Sequence, residues 1–410
     1  MKFPLPANTF PRIHLSEDDM RALEGLSNFF VRETMDHYAE HRFVNNGVVD
    51  TTRWKKMKQR EDVRVYREST QTANTRATQS STSMIDDARF IDQSSMAMPV
   101  LLTVGTLNGT LEDVMYGYST PTQDAMKVKT AYVGDGFVDW ANLASIIKPT
   151  PEDPFRELSI RWTVKSHPHY VGVVMRVRDL LYLESIGITK TKDGERIGYC
   201  FQHSIEIPEI RELHELNIVR GKVSFCHLFR QKSENTVELY VRGLIRPMGD
   251  ATASITAISG TEFCISIWKN MHCAQMKKLA WLVRTNSAQE RATLQPTTSC
   301  VVCSKAFKTG SFLSSKGKTC RLCLGPVCSS CRVTMPLCFT TELLQEVIQK
   351  KITFCTTCVQ RARRTSARHV ATSEMLEADR KYLPGVVGGS SMFMSDSSSS
   401  LSSPSSHVSR

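Results

Sequence analysis

Eight cysteines near the carboxyl end form four C-x2-C pairs, and each pair can place two thiols in one tight turn. The pairs are Cys300 with Cys303, Cys320 with Cys323, Cys328 with Cys331, and Cys355 with Cys358. Such thiols can bind a metal ion, form disulfides or perform redox exchange. Redox exchange needs one reactive pair, whereas four are present. Because four thiolates satisfy one tetrahedral zinc ion, the pairs predict two closed structural sites and two Zn2+ as cofactors.

The amino terminus bears on which of these chemistries applies. It has no apolar run after its first lysine, so it does not read as a secretory signal. No stretch approaches the roughly 18 apolar residues of a membrane-spanning helix. We therefore expect a cytoplasmic protein, in which thiols stay reduced and clustered cysteines are more often metal ligands than disulfides. The other five cysteines are expected to be buried and structural: Cys200, Cys226, Cys264, Cys273 and Cys338.

The charge balance points to anionic partners. The 410-residue chain has a formal net charge of +11, and 41% of its residues are hydrophobic, which is enough for a core. From Cys300 to His369 there are twelve Lys or Arg against two Glu. Such a balance favours nucleic acid or an acidic lipid surface. The run RARRTSAR at 361–368 could serve as a nuclear or nucleic-acid patch.

The spacing around the middle two pairs, C-R-x-C-x4-C-x2-C, resembles a FYVE-type zinc finger. Ile352 and Phe354, the apolar residues before the last pair, fit the same pattern. The resemblance implies that the pairs interleave around the two ions. Pairs one and three would share the first ion, and pairs two and four would share the second.

FYVE fingers typically recognise phosphatidylinositol 3-phosphate through a basic stretch beside the third cysteine. The residues that align with this stretch are Lys316, Lys318 and Arg321, so the resemblance makes them candidates for contact with a lipid headgroup. Both histidines of the family's stretch are absent here. Phe312 and Leu313 stand where FYVE fingers carry an apolar loop that inserts into the membrane. The resemblance therefore implies a peripheral protein of endosome-type membranes.

The elements before the cysteines suggest how they are positioned. A 3–4 residue apolar rhythm and a capping box at Ser16 and Asp19 predict a helix over 16–42. Alternating patterns separated by turn residues predict a curved antiparallel sheet, closed by a long helix over 266–284. The strands are expected at 62–68, 99–107, 158–165, 179–188, 196–207, 218–229, 236–245 and 251–265.

This order of elements resembles a START domain, the helix-grip fold in which a final helix closes a bent antiparallel sheet. The stretch RDLLYLESIGITKTKDGERIGYCFQHSI at 178–205 is similar to the family's paired central strands. The expected fold class is therefore α+β, with a helix-grip sheet and long C-terminal helix followed by a small two-zinc cross-brace finger. The resemblance implies a hydrophobic lipid ligand between sheet and helix, with Ile267, Met271, Ala274 and Trp281 on the inner face of that helix.

The predicted organisation has five parts: an N-terminal segment at 1–19, a START-like domain at 20–285 with a disordered loop at about 69–98, a linker at 286–299, a FYVE-like finger at 300–369 and a disordered Ser-rich tail at 370–410. No G-x-S-x-G, H-E-x-x-H or paired catalytic carboxylates are found, which predicts a non-enzymatic protein. The expected partners are a hydrophobic lipid ligand and an anionic membrane lipid or phosphoinositide. The alternatives are a protein-interaction adaptor without lipid cargo and a nucleic-acid-binding finger.

Overall fold

A computed structural model of the chain describes residues 3–6, 8–69, 100–165, 176–249, 253–286, 298–307, 318–340 and 347–382. The loop predicted at about 69–98, the linker after 286 and the tail after 382 lie almost entirely outside these residues. We call the described part up to residue 286 the helix-grip domain and the described residues 298–364 the finger.

Nine strands form one sheet in the helix-grip domain. They are β1 (Trp54–Arg60), β2 (Val63–Glu68), β3 (Leu101–Asn108), β4 (Phe137–Ile147), β5 (Glu157–Lys165), β6 (Arg178–Lys190), β7 (Arg196–Ser204), β8 (Val219–Ser233) and β9 (Thr236–Arg246). Their spatial order is β1-β2-β3-β9-β8-β7-β6-β5-β4, and neighbours in this order are antiparallel. β1 and β4 are therefore the two edge strands.

Among the described residues, five helices accompany the sheet, one begins within the last cysteine pair and one follows that pair. They are α1 (Glu17–Ala39), α2 (Leu111–Tyr118), α3 (Gln123–Val133), α4 (Ala253–Ile265), α5 (Lys269–Thr285), α6 (Thr356–Arg364) and α7 (Ala367–Tyr382). Residues Glu40–Val44 extend α1 as a π-helical turn. The capping box predicted for α1 is present, with the Ser16 hydroxyl accepting from the Asp19 N–H and the Asp19 carboxylate accepting in return.

The two faces of the sheet carry separate apolar cores. On one face, which we call the α1 face, Phe30, Val31 and Tyr38 of α1 pack on residues such as Ile160 and Phe201. The other face, the lid face, is covered by α2, α4 and α5. Burial of both faces fixes the register, because a slip of one residue would exchange the two sets of side chains.

The long helix reaches the lid-face core as predicted, through buried Met271 and Ala274, with Ile267 in the 3-10 turn before it. It rests on α2 and α3, while α4 lies directly over β1, β2, β3 and β9. The α+β helix-grip sheet followed by a small cysteine-rich region confirms the predicted fold class.

The strand predicted at 251–265 is wrong, because this segment forms α4. Its β-branched residues favour a strand locally, but its buried positions Thr256, Gly260 and Cys264 recur every four residues, which is the helical repeat. A Cβ on Gly260 would lie 2.7 Å from Leu101 Cδ1, so the glycine lets the helix approach the sheet. Tertiary packing thus overrides local preference here.

The structure also departs from the expected tail. Residues 367–382 form α7, which begins before residue 370 and continues beyond it. Ala367, Val370 and Ala371 are buried in the lid-face core, so α7 packs back onto the helix-grip domain. The apolar spacing of three and four residues explains why this segment is helical although a Ser-rich sequence follows it.

Candidate functional site

The eight paired cysteines form two groups of four. Cys300, Cys303, Cys328 and Cys331 make the first group, and Cys320, Cys323, Cys355 and Cys358 make the second. Within each group, all four sulfur atoms lie within 4.8 Å of one another. The groups combine pairs one and three and pairs two and four, which is the interleaved arrangement that the FYVE resemblance implies.

The sulfur separations fit one tetrahedral ion in each group. A zinc–sulfur bond of about 2.3 Å places neighbouring sulfurs about 3.8 Å apart. Cys303 Sγ lies 3.7 Å from Cys328 Sγ, and Cys323 Sγ lies 3.9 Å from Cys355 Sγ. Both contacts join different C-x2-C pairs, so the groups are held by chain segments that are distant in sequence.

The first two pairs stand on matching turns. Ser304 N donates to Cys300 O over 2.8 Å, and Leu324 N donates to Cys320 O over 2.9 Å. Ser304 and Leu324 both have φ of 58°, the left-handed region that a bulky residue such as leucine seldom adopts. The same conformation at the same place in two turns indicates that the turn is shaped to present two thiols in one direction.

The last two pairs are connected by a hairpin of β10 (Arg332–Thr340) and β11 (Val347–Cys355). Cys331 immediately precedes β10 and Cys355 ends β11, so the hairpin links the first group to the second. Cys355 is also the N-cap of α6, and its sulfur accepts from Cys358 N over 3.3 Å. The positive end of the helix dipole there stabilises a thiolate.

Backbone N–H groups donate to one thiol in each group and favour its charged form. Cys355 N donates to Cys320 Sγ over 3.2 Å, and Cys328 N lies 3.5 Å from Cys300 Sγ. Although desolvation opposes it, N–H groups that include those of Cys328 and Cys303 lower the pKa of Cys300 to about 6. Contacts with the neighbouring thiols of Cys323 and Cys358 hold the pKa of Cys320 well below its usual range. Thiolates are the form that binds metal.

The chemistry of the donors fits zinc. Each group offers four sulfurs and no carboxylate or imidazole, a soft set that suits a structural Zn2+ with no open position. These two groups are the candidate metal sites among the described residues. The five unpaired cysteines lie apart from them and are buried, as the sequence predicts.

The finger packs directly on the outer side of α5. Met276, Leu279 and Leu282 project from this helix into a core that they share with Leu322, Val327, Leu337, Phe354, Val359 and Ala362. Trp281, expected on the inner face of the helix, is half-buried between this core and the lid-face core. The closing helix is therefore covered by the sheet domain on one side and by the finger on the other.

A buried lysine of α5 connects this helix to α2 and to the end of α6. The Lys278 ammonium group is 1% exposed and lies 2.7 Å from Asp113 Oδ1 in α2. It also donates to the carbonyl oxygens of Arg363 and Thr365, over 2.8 and 3.0 Å, at the end of α6. One cation thus satisfies a carboxylate of the helix-grip domain and two backbone carbonyls at the end of α6.

The predicted headgroup residues are only partly described. Lys318 and Arg321 are both exposed beside the second cysteine group, and Arg321 N donates to Thr353 O. Lys316, Phe312 and Leu313 lie outside the described residues. Arg332, Lys350 and Lys351 add exposed positive charge along the hairpin.

The lid face of the sheet contains a buried polar group that sequence reasoning did not single out. Arg161 is 2% exposed and lies 2.6 Å from Glu157 and 2.7 Å from Glu184. Its guanidinium also donates to the Thr120 hydroxyl over 2.7 Å. The alternation of apolar and polar residues along β5 places Glu157, Ser159 and Arg161 on this face and could have revealed it.

Several buried polar atoms on this face have no hydrogen-bond partner among the described residues. Glu157 Oε2 and His227 Nε2 are two of them. The other ring nitrogen of His227 lies 3.1 Å from the Tyr118 hydroxyl, and burial lowers the pKa of His227 to about 3. Because an unpaired buried polar atom is costly, such atoms mark places where a bound molecule would be stabilised.

Two of the surface clefts formed by the described residues have volumes of about 350 Å3 each, and neither of these two lies between the sheet and α5. One is lined by residues of α2 and of the β6–β7 turn, including Glu112 and Arg196. The other lies at the junction of α5 and the finger, beside Trp281 and Arg361. Within the described residues, no helix combines the length and apolar character required to cross a bilayer.

Comparisons with known proteins return structures of low sequence identity. No family model matches the chain, and no curated protein matches it in sequence. Human StAR-related lipid transfer protein 5 is 12% identical, with a TM-score of 0.39 over 61% of this chain and 98% of that chain. Human STARD10 is 11% identical, with a TM-score of 0.39 over 68% and 86%. The human StarD13 (DLC2) lipid transfer and protein localization domain is 11% identical, with a TM-score of 0.36 over 64% and 98%.

Proposed function

We propose that the protein is a non-enzymatic, zinc-dependent lipid-handling protein that docks on membranes from the cytoplasm. The observation that carries this proposal is the gathering of eight thiols into two groups of four against the helix that closes the sheet. Two bound ions would make the finger a rigid support for that helix. The helix-grip domain would hold a hydrophobic ligand on its lid face.

Zinc would act here as a structural ion. The first cysteine group would hold one Zn2+ and the second group the other, and bound zinc supplies folding free energy to a small region with little apolar core. The chain's own residues would assist, since backbone N–H groups stabilise the thiolates of Cys300 and Cys320 before the ion arrives. Metal analysis should return about two zinc ions per chain, and fewer than one would refute the assignment.

The finger is proposed to be of the FYVE type and to contact a phosphoinositide or a partner. Interleaved thiols and the exposed cations Lys318 and Arg321 support this proposal. Lys316 would add charge, and Phe312 and Leu313 would enter the bilayer beside it. Each basic residue near an anionic leaflet contributes about 1 kcal/mol. Endosome-type membranes remain the proposed location.

The buried polar group on the lid face supports a ligand with one polar end. Arg161 and Glu157 would meet that end, while the apolar side chains of the lid-face core would surround its hydrocarbon part. Burial of a hydrocarbon chain is worth about 25 cal/mol for each Å2 removed from water. Such a division of polar and apolar contacts is typical of small-molecule sites.

Liposome flotation and lipid analysis test the proposal together. The purified chain is mixed with vesicles of phosphatidylcholine alone or with added phosphatidylinositol 3-phosphate, and co-purified lipids are extracted and identified by mass spectrometry. We expect flotation that depends on the phosphoinositide and a lipid that an Arg161→Leu variant releases. Absence of both recruitment and bound lipid would eliminate the proposed function.

A protein-interaction adaptor without cargo is the second candidate, and the close packing of α5 favours it. A Cβ on Gly109 would lie 2.4 Å from Met271 Sδ, and one on Gly117 would lie 2.2 Å from Asn270 O. The helix therefore lies tightly on the α2 region. Zinc binding with no recruited or bound lipid would identify the adaptor, and salt-sensitive binding to RNA or DNA would indicate a nucleic-acid-binding finger.

A further inference from the structure

The turn that follows α1 exposes three large apolar side chains. Phe43 is 65% exposed, Val44 is 71% exposed and Val48 is 67% exposed. We call residues 43–48 the α1 tip. Isolated exposed apolar residues are ordinary, but three within six positions form a patch, and such patches mark interaction surfaces.

The backbone of the α1 tip is held in one shape. Asn46 and Gly47 have φ of 51° and 72°, the consecutive left-handed pair of a tight turn. Gly47 N donates to His41 O, and Val48 N donates to Asn45 O, both over 2.8 Å. The apolar side chains are therefore presented on a fixed protrusion, which lowers the entropy cost of inserting them into a partner.

A basic strand lies beside the tip. β1 is an edge strand, and six of its seven residues are exposed, including Lys55, Lys56, Lys58 and Arg60. Residues 41–67 contain eight Lys or Arg against three Asp or Glu. Lys58 forms an ion pair with Glu262 of α4. Lys56, in contrast, donates a hydrogen bond to the uncharged side chain of Gln59. This strand and its neighbour β2 make a basic edge.

The tip and the basic edge project from the same side of the sheet. The His41 ring lies 5.4 Å from the Tyr240 ring, and Tyr240 belongs to the core of the α1 face. The strand register continues from Tyr240 to Val104, to Arg64 and to Gln59. Opposite residues in antiparallel strands share a face, so Arg64 projects to the α1 face. Three strand spacings make the lateral distance from Tyr240 to β1 about 14 Å.

We propose that the α1 tip and the basic edge form a docking surface for an anionic lipid bilayer. The apolar tip would enter the interface while Lys56 and Arg64 lie over negatively charged headgroups. Lysines on an edge strand also prevent strand pairing, but that role does not explain an ordered apolar protrusion on the same face. A second copy of the chain would bring two basic edges together, which like-charge repulsion disfavours.

This surface is separate from the finger. The finger packs on α5, which covers the lid face, whereas the tip projects from the α1 face. The proposal therefore goes beyond membrane docking by the finger and adds a second contact on the other side of the sheet. Two contacts on opposite faces would allow one molecule to engage two membranes.

Vesicle flotation of zinc-loaded full chains tests the surface. The vesicles contain phosphatidylcholine alone or with phosphatidylserine, so that no phosphoinositide is present. The tip variant is Phe43→Ser with Val44→Ser, and the charge variant is Lys56→Glu with Arg64→Glu. The matched control is Leu376→Ser, since Leu376 is 45% exposed on α7. Each variant is also placed in a Lys318→Glu, Arg321→Glu background, which weakens the finger's contact.

We expect the wild-type chain to float with phosphatidylserine vesicles and the tip variant to partition about tenfold less, which corresponds to about 1.4 kcal/mol of lost transfer free energy. The charge variant should lose binding at low salt, and Leu376→Ser should match the wild type. The tip effect should be the same factor in both finger backgrounds. Circular dichroism checks that every variant remains folded.

Equal flotation of the tip variant and the wild type would overturn the surface and leave docking by the finger standing. A loss of flotation by the tip variant that appears only in the Lys318→Glu, Arg321→Glu background would also overturn the surface. If the wild-type chain does not float with these vesicles but is still recruited to phosphoinositide vesicles, the proposed docking surface is overturned and docking by the finger stands. A dimer that the tip variant converts to a monomer in sedimentation would assign the surface to a second copy instead.

Discussion

The helix-grip domain and the finger differ in what holds each of them together. In the helix-grip domain, two apolar cores cover the faces of a nine-stranded sheet. In the finger, the buried apolar residues are few, and three members of its core, Met276, Leu279 and Leu282, come from α5 of the neighbouring domain. A region that borrows part of its core must obtain the remaining stability elsewhere, and the two groups of thiols supply the place where metal would provide it.

Loss of one cysteine ligand should give the largest difference between the two regions. Cys320→Ser removes a sulfur from the second group, and structural zinc in small fingers contributes about 10–16 kcal/mol of apparent binding free energy. We expect the variant to bind one zinc or fewer and to lose the finger's protection in hydrogen exchange, while the sheet keeps its protection.

The matched control is Cys338→Ser, which changes a buried thiol in the same finger that belongs to neither group. It should retain two zinc ions. Equal zinc content in Cys320→Ser and Cys338→Ser would show that the finger does not depend on metal.

Removal of the buried cation between the regions should have the next largest effect. Lys278→Met removes the cation from the Asp113 carboxylate and from two backbone carbonyls at the end of α6, and breaking a buried ion pair costs about 3–5 kcal/mol. We expect urea unfolding to separate into two transitions, because the finger loses its polar connection to α5. Arg284→Met is the comparison, since the exposed pair with Glu374 should contribute at most about 1 kcal/mol. A single, unshifted transition in Lys278→Met would contradict the coupling.

The pH dependence of the sheet domain should reveal His227. Burial lowers its folded-state pKa to about 3, whereas in the unfolded chain it titrates near 6.5. The unfolded state therefore binds the proton first, so stability is complete above pH 6.5 and declines as the pH falls toward 3. Between pH 6.5 and 5 we expect a loss of about 1.5 kcal/mol from this residue.

His227→Gln should remove that part of the slope, as measured by urea unfolding at a series of pH values. His214→Gln is the control, because His214 is exposed and lies in a short 3-10 turn. If both variants keep the wild-type slope, His227 does not titrate as its burial implies.

No effect on folding is expected at the finger's proposed lipid contact, where only vesicle binding should change. Lys318→Glu should weaken binding to phosphoinositide vesicles by about 30-fold, from loss of one attraction and gain of one repulsion of about 1 kcal/mol each. Zinc content should stay at its wild-type value, because Lys318 offers no ligand. Lys148→Glu, an exposed charge reversal after β4, should bind as the wild type does. Unchanged vesicle affinity in Lys318→Glu would argue against docking through this residue.

The sequence predicts those parts of the fold where local pattern and burial agree. β5 to β9 have alternating or continuous apolar runs, and the strands lie where these runs predict them. β1 was missed because WKKMKQR is basic and exposed, and it pairs only through its backbone at the edge of the sheet. β4 was missed because three register irregularities interrupt its alternation. α4 was assigned to the wrong class because its packing against β2 and β3 depends on distant residues.

The candidate metal site could be predicted because the spacing of its cysteines along the chain is visible in the sequence. The buried polar group on the lid face has no such spacing. The C-x2-C pairs identify themselves without any knowledge of the fold. Arg161, Glu184 and Thr120 come from separate elements, and only the folded sheet brings them together. The burial of the Lys278 ammonium group could not be predicted from the sequence either, since a lysine in an amphipathic helix usually faces water.

The return of α7 to the helix-grip domain has a consequence for chain connectivity. The finger begins after α5 and ends before α7, and these two helices are neighbours, with Glu374 of α7 contacting both Arg284 and the Tyr116 hydroxyl. The finger is thus an insertion between two neighbouring helices that both pack on the helix-grip domain. A fluorescent reporter fused after Tyr382 would lie near α2 and α5. Energy-transfer measurements should therefore place the reporter beside the helix-grip domain and not beyond the finger.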